Sequence, residues 1–340
     1  MLNLGLNGIR SSRRLERECK RNIELQWLIG KLVPNYHSIS DFRKDNPQAL
    51  QNTFKLFVLF LKDCDLLGGT TVAIDGTKMR ANNSKKNNYS PKKIQRHLDY
   101  IEEKTKVYLQ ELDANDESES PIKIDGITKK IERLKTNKIR YELLAERLEQ
   151  SGEPQISTTD GDARALLVQG QVVEVCYNMQ AAVDNKHNLP VATHTINRND
   201  RNALSAIAKE AKENLQVVSL MAISDKGYHN GKEIQTCNEH GIATICAQQE
   251  INEHIFGTIK RQWGYNHTNL RSLKKVNGEF ALIMTVYNMK RSMNILGMET
   301  ILEKIKNWKP NYKGMTLHLQ KPSCFREISA HQNIEMKLAA

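Results

Sequence analysis

Two apolar runs that each end in an acid and a nearby glycine constrain this chain more than any other feature. Val72-Ala73-Ile74-Asp75-Gly76 and Ala222-Ile223-Ser224-Asp225-Lys226-Gly227 both read as short buried strands that deliver a carboxylate at the strand end. A lone acid in that position is commonly a turn or capping residue. Two such constructions far apart in one chain point instead to acids gathered at one edge of an α/β sheet, beyond the strand ends where open sheets place their ligands.

The remaining sequence supplies such a sheet. Strands are predicted at 71–75, 171–183, 189–196, 217–224 and 242–246, with helices at 201–214, 230–240, 250–263 and 273–296. Ahead of them lies a helical region. Residues 8–31 read as one basic helix carrying Arg10, Arg13, Arg14, Arg17, Lys20 and Arg21. Ser40 or Asp41 is expected to cap a second helix, and Leu50–Leu67 is apolar at helical spacing. Polar, basic residues 76–91 read as a loop, and the glycine-bearing stretch 151–170 as irregular. Between them, Ile94, Leu98, Ile101, Thr105, Tyr108 and Leu112 alternate by four and three, as do Ile127, Ile131, Leu134, Lys138, Tyr141, Ala145 and Leu148. That heptad pattern predicts two antiparallel helices inserted into the core as a hairpin. The expected organisation is a helical N-terminal region at 1–68, an α/β core at 69–300 interrupted by the hairpin at 92–150, and a basic tail at 301–340.

Composition narrows the partners. With 340 residues, 39% of them hydrophobic, the chain can bury a sizeable core. No run approaches eighteen uninterrupted apolar residues, so no membrane span is expected. Met1–Arg10 lacks the features of a signal peptide. The six cysteines are scattered without a CxxC pair, which argues against structural zinc and fits a reducing compartment, the cytoplasm. A formal net charge of +11 suggests a polyanion, most simply nucleic acid.

Paired acids and a nucleic-acid partner suggest phosphoryl transfer, in which divalent ions held by carboxylates activate a nucleophile and stabilise a leaving oxygen. A third acid would come from the segment around Glu253, where Glu253 and Lys260 stand seven apart and would share one face of an α-helix. Spacing alone leaves Glu250 as a rival.

The segments Arg10–Glu16, Ile39–Asp45, Val72–Lys78, Ser224–Tyr228, Glu253–Trp263 and Val276–Phe280 together resemble bacterial insertion-sequence transposases of the acidic-triad (DDE) type, over nearly the whole chain. The resemblance implies an RNase H-like mixed sheet flanked by helices, and Asp75, Asp225 and Glu253 as the catalytic, metal-binding triad. It also implies Mg²⁺ or Mn²⁺, cleavage at element ends and strand transfer into target DNA. Double-stranded DNA is the partner so implied, on the nucleoid, with a homodimer as a further option. Lys260, Arg261, Lys226, Arg13 and Arg14 are expected to contact phosphates. The chain departs from the family pattern in three places. It starts within what resembles a helix, Asp225 and Glu253 are only 28 positions apart, and Cys246 and Gln249 stand where the family has Tyr and Arg. It therefore reads as a copy shortened at the N-terminus and internally. Two alternatives follow: a DNA-binding remnant without catalysis, and a hydrolytic nuclease with the same triad.

Several residues keep two readings. Asp160 and Asp162 suit a structural turn or an auxiliary site. Asp184 suits a turn cap. Tyr228 could pack or orient substrate. Trp263 and Tyr265 could be core residues or stack a base. His254 reads as structural, and Lys274, Lys275, Lys290 and Arg291 could line a DNA channel.

Overall fold

The computed structural model describes residues 9–115, 121–168, 172–247 and 253–309. The chain divides into two compact units, one of residues 1–82 and 176–340 and the other of residues 83–175.

The first unit is built on a mixed sheet. Its strands are β1 (Thr71–Arg80), β5 (Val172–Asp184), β6 (Leu189–Ile196), β7 (Leu220–Asp225) and β8 (Ile242–Ala247). Across the sheet they run β6-β5-β1-β7-β8, with β5 antiparallel to both β6 and β1, and β7 and β8 parallel to β1. Helix α7 (Leu204–Leu215) lies against β6, β1, β7 and β8, and α10 (Leu273–Leu296) against β6. Strands covered in this way read as near-continuous apolar runs, and Val191, Ala192, Ala181 and Ala182 are fully buried. Pro190 cannot donate to the ladder and sits beside a β-bulge. Its carbonyl accepts the Asn288 amide at 2.7 Å, and that of Val191 accepts the Asn214 amide at 2.8 Å, so a buried amide from each helix satisfies the bulged strand.

The predicted loop at 76–91 begins instead as strand. β1 leaves β7 after Ile74 but stays paired with β5 as far as Arg80, through Gly76↔Gln180, Lys78↔Asn178 and Arg80↔Cys176. Thr77 and Met79 turn inward while Lys78 and Arg80 remain more accessible, a period-two pattern concealed by the basic composition.

The N-terminal helices also differ from expectation. The single helix predicted over 8–31 is two, α1 (Ser12–Arg21) and α2 (Ile23–Leu28). They break at Asn22, whose side chain accepts from the Leu25 N–H at 3.0 Å, a capping bond that competes with helix continuation. Helix α3 (Tyr36–Asp45) starts before Ser40 because Asn35 caps it through the Ser38 N–H at 2.8 Å. Ile9, Leu15, Cys19, Leu25 and Ile39 close a small core among these helices.

Helix α4 (Pro47–Asp63) packs along α10. Gly278 makes the crossing feasible, since a Cβ there would lie 2.6 Å from Pro47 Cα and 2.8 Å from its carbonyl oxygen. Gly278→Ala should therefore destabilise the protein by about 1–3 kcal/mol, as overpacking against backbone does. Thermal denaturation would show it, and an unchanged midpoint would mean that the helices separate freely. A further helix, α11 (Met298–Asn307), buries Ile301, and Trp308 donates its indole N–H to Asp63 at 2.8 Å.

In the second unit, α5 (Pro91–Asn115) and α6 (Pro121–Ser151) pack together, the start of one against the end of the other. Ile94 and Leu98 meet Tyr141, Leu144, Ala145 and Leu148, with Tyr89 and Ile156 joining them. Lys138 is exposed rather than part of the seam. The stretch predicted as irregular contains β3 (Ile156–Ser157), paired with β2 (Asn88–Tyr89), and β4 (Arg164–Val168).

Candidate active site

Ile74 on β1 pairs with Ser224 on β7, so Asp75 and Asp225 follow as the next residues on adjoining parallel strands. Such strands lie roughly 4.8 Å apart, and residues at equivalent positions project to the same face. Both acids are half-buried. Each is oriented by a main-chain donor just after it: Gly76 N–H reaches Asp75 Oδ1 at 2.7 Å, and Gly227 N–H reaches Asp225 Oδ1 at 2.6 Å. The second bond opens a 3₁₀ turn over Lys226–Tyr228. A Cβ on Gly227 would stand 2.9 Å from that same Asp225 oxygen.

Gly76 answers a different need. It faces Gln180 across the ladder, and a Cβ there would overlap the Gln180 amide nitrogen and lie 2.7 Å from Asp200 Oδ1. Asp200 Oδ1 accepts from the Asn178 amide at 2.7 Å and the Gln180 amide at 2.8 Å. The Tyr228 hydroxyl donates to Gln180 Oε1. Gln180, Asn178 and Tyr228 are all at most 1% exposed. Burial pushes the Tyr228 phenol well above its usual range, and the negative charges of Asp200, Asp75 and Asp225 add to the effect. Tyr228 is buried, and its hydroxyl meets the amide that also reaches Asp200. Asn178, Gln180 and Asp200 were not anticipated from the sequence. Two amides at alternate positions of an otherwise apolar strand were the available signal.

Glu253 is the first residue of α9 (Glu253–Gly257), and its side chain, like those of Glu250 and His254, lies outside the described residues. Residues 258–262 form a π-helical turn in place of the α-helix predicted through Trp263, with Trp263 N–H bonded to Thr258 O at 3.1 Å. This turn winds more widely than an α-helix. The Lys260 ammonium donates to the Lys78 carbonyl at 2.9 Å, three residues beyond Asp75. Burial lowers its pKa, with Asp75 among the groups opposing the shift.

Arg261, Lys226, Arg13 and Arg14 are exposed, and the Arg13 guanidinium lies 4.9 Å from the centre of the Tyr36 ring. Trp263 packs against Tyr287, and Tyr265 is buried beneath the Arg10 guanidinium, 4.2 Å from its ring centre. Asp184 is fully buried and accepts from the N–H groups of Gly68, Gly69 and Lys186, so it caps more than its own turn. Asp160 is buried in a turn of the second unit, with its N–H on Ser157 Oγ.

Three segments singled out in the sequence meet one another around Arg10. Arg10 donates to the Gly264 and His267 carbonyls, and Arg43 to the Arg10 carbonyl and Ser12 Oγ. Glu279, 4% exposed, gathers the N–H groups of Asn269 and Leu270.

Among the described residues, no group of three or more His, Cys, Asp or Glu stands close enough to form a metal cluster, and no helix is long and apolar enough to cross a membrane. The sheet and its adjoining acids define a mixed α/β protein with a carboxylate pair where the parallel pairing of β1 and β7 stops. Residues 4–45 match a family model described as a transposase domain (DUF772), which supports reading the chain as a transposase. No curated protein and no solved structure matches the chain.

Proposed function

We propose that this protein is a DNA transposase with an RNase H-like core, cutting and joining strands through Asp75, Asp225 and Glu253. The observation that carries the reading is the adjacency of Asp75 and Asp225, from strands that are 150 positions apart in the chain. The mixed sheet and the match at residues 4–45 support it independently.

The donors fit Mg²⁺ or Mn²⁺: two half-buried carboxylates on one sheet face, with the helix that begins at Glu253 following β8, the neighbour of β7. Asp75, Asp225 and Glu253 would hold the ions, whose chemistry is to activate a water or DNA hydroxyl and to stabilise the leaving oxygen. Gly76 and Gly227 fix a carboxylate oxygen on each Asp through their N–H groups, so the acids are oriented before substrate arrives. Lys260 contributes positive charge close to Asp75. Arg13, Arg14, Lys226 and Arg261 would grip phosphates without reading sequence, which makes affinity salt-dependent.

The test uses purified protein and a labelled linear duplex carrying the DNA that flanks its reading frame, offered with a supercoiled target plasmid. In Mg²⁺ or Mn²⁺ the label is expected to join the plasmid, and excess chelator should abolish joining. Metal-dependent cutting without joining would make the protein a hydrolytic nuclease. Binding without cutting would make it a remnant.

A further inference from the structure

We infer that Asp200 is the positioning residue of this site: through the amides of Asn178 and Gln180 it holds in place the two main-chain donors that orient Asp75 and Asp225. The inference rests on the proposed catalytic role of those two acids.

The argument follows two branches from one oxygen. Asp200 Oδ1 takes the Asn178 amide at 2.7 Å and the Gln180 amide at 2.8 Å, and Asn178 also bonds the Arg198 carbonyl at 3.0 Å. These groups press on Gly76, where a Cβ would be 2.7 Å from Asp200 and 2.9 Å from Asn178 Oδ1. The Gly76 N–H is the donor that turns the Asp75 carboxylate, so the first branch ends on Asp75. In the second, Gln180 accepts the Tyr228 hydroxyl. Tyr228 closes the 3₁₀ turn whose Gly227 N–H orients Asp225. Asn178, Gln180 and Tyr228 are buried and Asp200 half-buried, and interior polar groups satisfied in one arrangement would rigidify what they touch. Orienting groups outside a metal-binding shell tune it in the same manner.

Two observations make Asp200 a support and not a further ligand. Successive residues of a strand project to opposite faces, so Gly76 offers Asp200 the face opposite that taken by Asp75. In addition, no three acids group together among the described residues.

The test compares Asp200→Ala and Asp200→Asn with Asp75→Asn. Each is measured for strand cleavage and, without DNA, for Mn²⁺ binding by calorimetry. Asp200→Asn still presents one oxygen to both amides, and cleavage should fall only about threefold, whereas Asp200→Ala loses both bonds and should fall about thirtyfold. Asp200→Ala should also bind Mn²⁺ more weakly, an effect that lost stability alone would not produce in protein folded at the assay temperature. If Asp200→Ala does not fold, Tyr228→Phe serves instead. It removes only the hydroxyl donated to Gln180 and should weaken Mn²⁺ binding in the same direction. Normal cleavage and Mn²⁺ binding by Asp200→Ala, or by Tyr228→Phe in its place, beside an inactive Asp75→Asn, would overturn the inference. So would an Asp200→Asn protein as inert as Asp75→Asn, because Asp200 would then be a ligand. Failure of the underlying site assignment shows itself separately, as ordinary cleavage by Asp75→Asn.

Discussion

Asp75→Asn should lose metal-dependent strand cleavage by about a thousandfold, since Lewis-acid stabilisation is worth several kcal/mol and each 1.36 kcal/mol is tenfold in rate. The substitution keeps the shape of the side chain and an oxygen able to accept the Gly76 N–H, now bonded at 2.7 Å. What it removes is the negative charge that would hold a hard cation beside Asp225. The fold should survive, because Asp75 is half-buried and β1 is held on both sides by ladder bonds that involve no side chain. DNA binding should survive as well, since the exposed Arg13, Arg14, Lys226 and Arg261 remain. Asp225→Asn should behave alike, and the double variant should be scarcely worse than either single one, because groups that act as a unit are not additive. The measurement is single-turnover cleavage of end DNA alongside a thermal melt. Wild-type cleavage by both single variants would leave the acid pair without a catalytic role.

The largest loss of stability is expected from Glu279→Ala. Glu279 Oε2 accepts the Leu270 N–H at 3.0 Å, both carboxylate oxygens stand 3.1 Å from the Asn269 N–H, and Oε1 takes the Asn269 amide at 2.7 Å. Its charge also faces Arg10 and Tyr265. Alanine would leave buried donors unsatisfied and remove the negative charge facing a partly buried guanidinium, at a cost of about 3–5 kcal/mol. Glu279→Gln keeps one acceptor and should lose less. Denaturant unfolding gives the comparison, with an unchanged slope showing that the native state itself was weakened. A difference below about 1 kcal/mol would mean that water replaces the carboxylate.

Much of the sheet was legible because its signals are local. The runs at Leu189–Ile196 and Leu273–Leu296 gave elements close to those observed, and Asp225 ends its strand as expected, whereas Asp75 lies in the middle of β1. Other features depend on partners distant in sequence. The extension of β1 to Arg80 exists because β5 lies beside it, while Lys78, Arg80, Lys85 and Lys86 in the polar stretch 76–91 spoke for a loop. Asp200 carries no local signal, since its place is set by Asn178 and Gln180, which converge on it from β5. Helix breaks at Asn22 and caps at Asn35 were written in side chains that compete for backbone N–H groups, a signal that helical periodicity overrides when read alone. The π-helical turn at 258–262 carries no such mark.

β1 borders β5 on one side and β7 on the other, so its completion depends on segments from Cys176 onward, made well after it. During synthesis, residue 75 gains its acidic neighbour only after residue 225 has emerged. The helix that covers α4 comes later still, at 273–296. Residues 83–175, by contrast, form a compact unit of their own. A ribosome-bound chain therefore carries the first carboxylate long before the acid beside it has been made, and the two can meet only once β7 has emerged.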